Sequence, residues 1–125
     1  RIYRITHKTN PLDKPAKIAG EPIPVLLDLL KSPDDRVRYR VRIELSGRKS
    51  DEVIAATKKW KENLDYKDPN LEHHQLEALW VYQQHNVVND DLLDECLHSS
   101  EAQSRAAAIK VAVAWRDRCL FFQQQ

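Results

Sequence analysis

The chain has 125 residues, 42% hydrophobic and 31% charged, which is the composition of a folded domain rather than a disordered segment. Its 20 basic and 19 acidic side chains leave a net charge of +1, so no global field selects nucleic acid or an anionic membrane. With 2 glycines it lacks the tight turns of a sandwich or barrel, and no apolar run approaches the ~20 residues needed to cross a bilayer.

Arg1-Ile2-Tyr3-Arg4-Ile5-Thr6 alternates polar and apolar residues, a strand pattern. One strand is not stable alone, so it either pairs with something outside the chain or hangs loose. Residues 7–24 carry Pro11, Pro15, Pro22 and Pro24 among lysines, which forbids a helix and favours an extended linker. Gly20-Glu21-Pro22 reads as the turn into the first helix.

The first helix is predicted from Ile23 to Lys31, with Val25, Leu26, Leu29 and Leu30 as its packed stripe. The second is expected to open with Ser32 as N-cap and Pro33 at N1, and to run to Ser46 with Gly47 at C′. Arg36 to Ile43 also alternates strictly, a rival strand signal. The cap signals and the repeat described below decide for a helix with the stripe Val37, Val41 and Leu45, widened by Tyr39 and Ile43.

A third helix is expected from Ser50, as cap, to Leu64, burying Val53, Ile54, Thr57, Trp60 and Leu64. A fourth starts at Asp68-Pro69 and runs to His85, presenting Leu71, Leu76, Leu79, Trp80 and Gln83. A fifth runs from Asn89 or Asp90 to Leu97, with Leu92, Leu93, Cys96 and Leu97 inward. The sixth runs from Ser100 to Cys119, its small Ala106-Ala107-Ala108 patch flanked by Ile109, Val113 and Trp115.

Ser32-Pro33-Asp34-Asp35-Arg36-Val37-Arg38 is echoed by Ser99-Ser100-Glu101-Ala102-Gln103-Ser104-Arg105, with a weaker copy at Lys67-Asp68-Pro69-Asn70-Leu71-Glu72. The period of about 33 residues is that of one helix–turn–helix unit. The predicted fold is therefore all-α, a HEAT-like solenoid of about three antiparallel helix pairs that hide their apolar stripes by stacking. Residues 1–21 are assigned to a terminal strand and Pro-rich linker from a preceding domain, 22–119 to the helical domain, and 120–125 to a tail. The start at Arg1 and the lack of methionine read as a fragment of a longer protein or a processed product.

No catalytic centre, cofactor loop or metal set is legible. Arg38 and Arg105 share one repeat position and are expected to bond acidic residues of an adjacent repeat. Arg36, Arg38, Arg40, Arg42 and Arg48 form the strongest charge run, read as a solvated or interface-facing surface, with phosphate binding as the alternative. His73-His74 with Glu72 and Glu77 is the most metal-like group, yet His-x-x-x-Glu lacks a third ligand and is read as capping and inter-helix bonding. Cys96 and Cys119 read as small buried residues, or as a disulfide between neighbouring helices. Of Trp60, Trp80 and Trp115, all at core spacings, Trp80 is the one expected to line a groove.

Several phrases resemble a known family: Arg1-Ile2-Tyr3-Arg4-Ile5, Lys14-Pro15-Ala16-Lys17-Ile18-Ala19-Gly20-Glu21-Pro22-Ile23-Pro24, Glu72-His73-His74-Gln75-Leu76-Glu77-Ala78-Leu79-Trp80-Val81 and His85-Asn86-Val87-Val88-Asn89. In this order they resemble the multidomain membrane-bound-dehydrogenase-like proteins of planctomycete and related bacteria. The resemblance covers about residues 1–118. It implies a β-propeller closing at residues 1–6, the first HEAT pairs over 22–119, and in many members a cytochrome c module further on. Any quinone- or haem-linked activity would belong to those other modules, in a parent exported to the periplasm or cell envelope. From Cys119 the match stops.

The resulting expectation is a non-catalytic scaffold or protein-interaction module without cofactor or metal. Its partner would be a neighbouring domain of the parent or another protein, with no membrane insertion. The expected interaction surface holds Arg36, Arg38, Arg40, Arg42, His73, His74, Glu77, Trp80 and Arg105. The alternatives are nucleic-acid binding along the Arg36–Arg48 helix, and small-molecule catalysis in a groove near His73, His74 and Trp80.

Overall fold

The computed structural model describes residues 17–116. The strand expected at Arg1–Thr6, most of the linker, Cys119 and the tail lie outside the described residues. Among the described residues the fold is all-α: α1 (Ile23–Leu29), α2 (Asp35–Ser46), α3 (Ser50–Glu62), α4 (Leu71–Gln84), α5 (Asp90–Leu97) and α6 (Ala102–Ala114).

The helices form consecutive pairs, α1 with α2, α3 with α4 and α5 with α6. One layer holds α2, α4 and α6, with α4 touching both neighbours. The other holds α1, α3 and α5, where α1 packs on α3 and Lys61 of α3 bonds Glu95 of α5 at 2.9 Å. α4 is the central rod. It touches α2, α3, α5 and α6, and buries residues all round its circumference, as an interior helix does. Leu27, Leu45, Leu79 and Leu93 are fully enclosed between the layers.

Arg36 to Ile43 is helical. Burial explains why: Val41 and Leu45, one turn apart, are sealed, while Tyr39 and Ile43, expected to widen the stripe, are 60% and 54% exposed. α6 departs in the same way. Ala108, Val111 and Ala112 face the core, whereas Ile109 and Val113 lie 54% and 57% exposed. These residues mark the outer sides of the first and last rods in the α2–α4–α6 layer.

The repeat echo is a structural motif, but its helix starts fall later than the sequence suggests. The N-cap positions of α2, α4 and α6 are Asp34, Asn70 and Glu101, not Ser32, Asp68 and Ser100, and of the first three only Asp34 caps with its side chain, accepting the Arg36 N–H. The upstream oxygen instead forms a small turn before the helix. Ser32 Oγ accepts the Asp34 N–H at 3.2 Å, Asp68 Oδ1 the Asn70 N–H at 2.8 Å, and Ser99 Oγ the Glu101 N–H at 3.2 Å. The fourth helical residue then turns back to the loop. Arg38 Nη1 donates to the Ser32 carbonyl at 2.7 Å and Arg105 Nη1 to the Ser99 carbonyl at 2.8 Å. In the middle copy that position is His74, whose Nδ1 lies 3.8 Å from Asp68.

Other ends also shift. Lys49, not Ser50, is the N-cap of α3, because the Ser50 hydroxyl bonds His85 Nδ1 at 2.8 Å. The α4 end is closed by Asn86 at φ 59, with Val87 N–H on the Tyr82 carbonyl and Asn86 N–H on the Gln83 carbonyl. That is a Schellman closure using asparagine where glycine is usual. Gly47, expected at C′, is the C-cap of α2 with ordinary negative φ. α6 ends at Ala114 with Trp115 as its C-cap, and the end predicted at Cys119 lies outside the described residues. The end of the predicted linker is packed: Ile18 is 4% exposed, and the Gly20 N–H and Glu21 carbonyl bond Glu44 and Arg48.

Candidate functional site

The α2–α4–α6 layer carries the chemistry. His73, Glu77, Trp80 and Gln84 follow one another at three- and four-residue steps on α4, so they share one stripe. Arg38 and Arg42, one turn apart on α2, face that stripe. Arg42 Nη1 donates to both oxygens of Glu77, at 2.7 and 3.0 Å. Arg38 Nε and His73 Nε2 lie 3.8 and 3.6 Å from Glu77 Oε1. Both of those nitrogens are buried and lack a hydrogen-bond partner. Glu77 itself is fully buried, so an acid sits at the centre of three basic groups.

Burial pushes the Glu77 carboxyl above the ordinary carboxylate range, and Arg42, His73 and Arg38 restrain that rise. Burial also lowers the imidazoles of His73 and His74, opposed by Glu77 in one case and by Asp68 in the other. The arrangement locks α2 to α4. It is completed by Gln84 Nε2, which donates to the Arg42 carbonyl at 2.6 Å, and by the Arg42 guanidinium 5.5 Å from the Trp80 ring.

Beyond Trp80 the surface opens. A cavity of about 410 Å³ between α4 and α6 is lined by Trp80, Gln83, Gln103, Ala106, Ala107, Lys110 and Val111. A second, of about 270 Å³, is bounded by Arg42, Trp80, Gln83 and Gln84. Trp80 and Gln83 belong to both, so the two form one shallow groove across α4. Ala106 and Ala107 of α6 line the part between α4 and α6.

Of the nine residues expected on the interaction surface, Arg38, Arg42, His73, Glu77 and Trp80 come together here. His74 does not join them. It points the other way, 4% exposed, with its ring 6.5 Å from Trp60. Arg105, expected to bond an acid of an adjacent repeat, is instead tied to the Ser99 carbonyl of its own loop. Arg36 lies 3.5 Å from Asp34, and Arg40 is exposed on the outer side of α2. Arg48, the last member of the charge run, pairs with Glu44 at 2.9 Å. The run is therefore largely matched by acids rather than presented as an open cationic stripe.

Of His73, His74, Glu72 and Glu77, only His73 and Glu77 stay together, 3.6 Å apart. Glu72 receives the Ser100 N–H at 2.9 Å and the Ser100 hydroxyl at 2.7 Å, capping the loop before α6, and the backbone bond to Ser100 holds its carboxyl below the usual range. Neither histidine lines the groove at Trp80. Among the described residues no group of three His, Cys, Asp or Glu is placed to hold a metal ion.

Sequence reasoning did not single out Gln103, Lys110 or Ala106 as groove residues. Their i, i+3, i+7 spacing on α6 was the available signal, but the spacing does not say which face meets α4. No protein-family model, curated protein or solved structure matches the chain.

Proposed function

We propose that this chain is a non-catalytic HEAT-type helical scaffold, a protein-interaction module within a larger dehydrogenase-like multidomain protein of the kind its sequence resembles. The observation that carries this reading is the groove at Trp80. It is open, partly aromatic, lined in part by alanines, and set on helices locked from beneath by the Glu77 cluster. A braced platform loses little conformational freedom when a partner settles on it, which favours binding. The exposed pairs Tyr39 and Ile43 on α2, and Ile109 and Val113 on α6, suit burial against flanking helices or a neighbouring domain of the same parent.

The test is panning of a displayed random-peptide library against the folded chain, with Ala106→Gln as the counter-screen. Ala106 is exposed, and glutamine is a good helix former, so the substitution fills the groove without harming the fold. Peptides that bind the native chain and are lost on Ala106→Gln support the reading. A library that yields no peptide sensitive to this change refutes it.

A further inference from the structure

We infer that the groove across α4 takes an extended peptide segment carrying acidic residues, bound between Arg42 at one end and Lys110 at the other. The inference deepens the scaffold reading and rests on it.

The first ground is charge. The residues that line the two joined cavities include two cations, Arg42 and Lys110, and no acid. The cavity between α3 and α5 is different, with Lys58 and Lys61 facing Glu62 and Asp91, as is the one between α1 and α3, with Lys59 beside Asp28. The chain as a whole is nearly neutral, so one-sign lining is a local property of this groove. Glu77, bonded to Arg42 at 2.7 Å, and Asp35, 3.9 Å from it, offset the Arg42 charge, so Arg42 contributes its remaining N–H donors to the groove and Lys110 the uncompensated charge. Lys110 is exposed and has no ion pair among the described residues.

The second ground is the amides. The side-chain amides of Gln83 and Gln103 form no hydrogen bond among the described residues, unlike those of Gln84 and Gln75. Each amide offers a donor and an acceptor, which matches the paired N–H and C=O of an extended backbone. A bound helix has those groups already satisfied within itself. Between the amides the Trp80 ring and the Ala106 methyl provide an apolar centre.

The third ground is length. The path from α2 to α6 crosses two helix spacings, about 18 Å in all. An extended chain covers that in about five or six residues. The partner segment therefore has two acids about five residues apart, with an apolar residue between them.

The probe is a blocked, fluorescein-labelled heptapeptide with glutamate at each end, leucine at the centre and glycine elsewhere. It is titrated into the chain at low salt and read by anisotropy. A version with lysine at each end should bind at least about tenfold more weakly, as should the glutamate peptide to Lys110→Glu. Lys110→Glu should also narrow or reverse the preference between the two peptides. Replacing the glycines by N-methylglycine, which removes backbone donors, should weaken binding about fivefold or more, and Gln103→Ala should remove most of that difference. Circular dichroism checks that each variant is folded.

Equal binding of the two peptides, no binding of either, or a response to Lys110→Glu no larger than that of Lys59→Glu on the other side of the molecule overturns the inference. So does tighter binding of an octameric oligouridylate lost on Lys110→Glu, which would make the groove a single-stranded nucleic-acid site. If panning enriches groove-dependent peptides that are not acidic, the scaffold reading stands and this inference alone falls.

Discussion

Arg42→Met separates the Glu77 cluster's role from that of ordinary packing. Methionine keeps a stem of similar length over Trp80 and removes the guanidinium. Glu77, fully buried, then has His73 at 3.6 Å and Arg38 at 3.8 Å, neither within hydrogen-bonding distance. Removing one partner of a buried pair costs about 3–5 kcal/mol, because the other is left charged without compensation. Arg38 softens that loss by attraction across the same cluster, so the lower end, about 3 kcal/mol at neutral pH, is expected. The loss should also depend on pH. Losing Arg42 raises an already elevated Glu77 pKa, so the carboxyl takes up a proton more readily as pH falls, and a neutral acid is cheaper to bury than a charged one. The destabilisation should therefore be largest above the raised pKa and shrink as pH falls through it. Urea unfolding followed by far-UV circular dichroism measures both quantities, with an unchanged slope against urea confirming a comparable transition. The double variant Arg42→Met/Glu77→Leu should recover most of the stability. A single-variant loss below about 1 kcal/mol, or one that does not shrink on acidification, would show that Glu77 is not a buried charge held by Arg42.

Leu79→Ala, at a fully enclosed site on the central rod, should cost about 3 kcal/mol, whereas Val25→Ala, at a site 43% exposed, should cost less than about 0.5 in the same assay. Cys96 is 2% exposed and burial pushes its thiol up to about 12, so in a Cys119→Ser background its reaction with a disulfide reagent should be on the order of a thousandfold slower than in urea. A native rate within tenfold of the unfolded one would contradict that burial. His73 and His74 are lowered below 6.5, so between that value and their folded pKa values the unfolded chain binds more protons, and stability should fall as pH drops through this window. His74→Phe should flatten part of that slope in urea midpoints. His85 joins three elements by accepting from Ser50 Oγ and donating to the Leu45 carbonyl at 2.9 Å; His85→Ala should cost about 1–2 kcal/mol in thermal and urea unfolding.

Helical class, the number of rods and the threefold echo were legible because they rest on local rules: apolar spacing, scarce glycine and loop chemistry repeated along the chain. The echo even located equivalent side chains, since Arg38 and Arg105 make the same bond to the same loop carbonyl. Helix starts were misplaced by two or three residues for a physical reason. Ser32, Asp68 and Ser99 satisfy a backbone N–H two residues later, a turn that resembles a cap in sequence but precedes the helix in space.

Which apolar residues stay outside could not be read in the same way. Tyr39, Ile43, Ile109 and Val113 fit a helical stripe as well as Val41 or Val111 do, and only the order of rods in the layer decides which side is covered. The same holds for the charges. Glu77 and Arg42 are 35 residues apart, so their contact follows from α2 lying beside α4 rather than from any local pattern. The groove at Trp80 likewise exists because α6 brings alanines, Gln103 and Lys110 alongside α4. Local sequence determined the rods, since each helix is specified by its own residues. Packing determined the site, since burial and pairing are properties of surfaces that meet only once the rods have stacked.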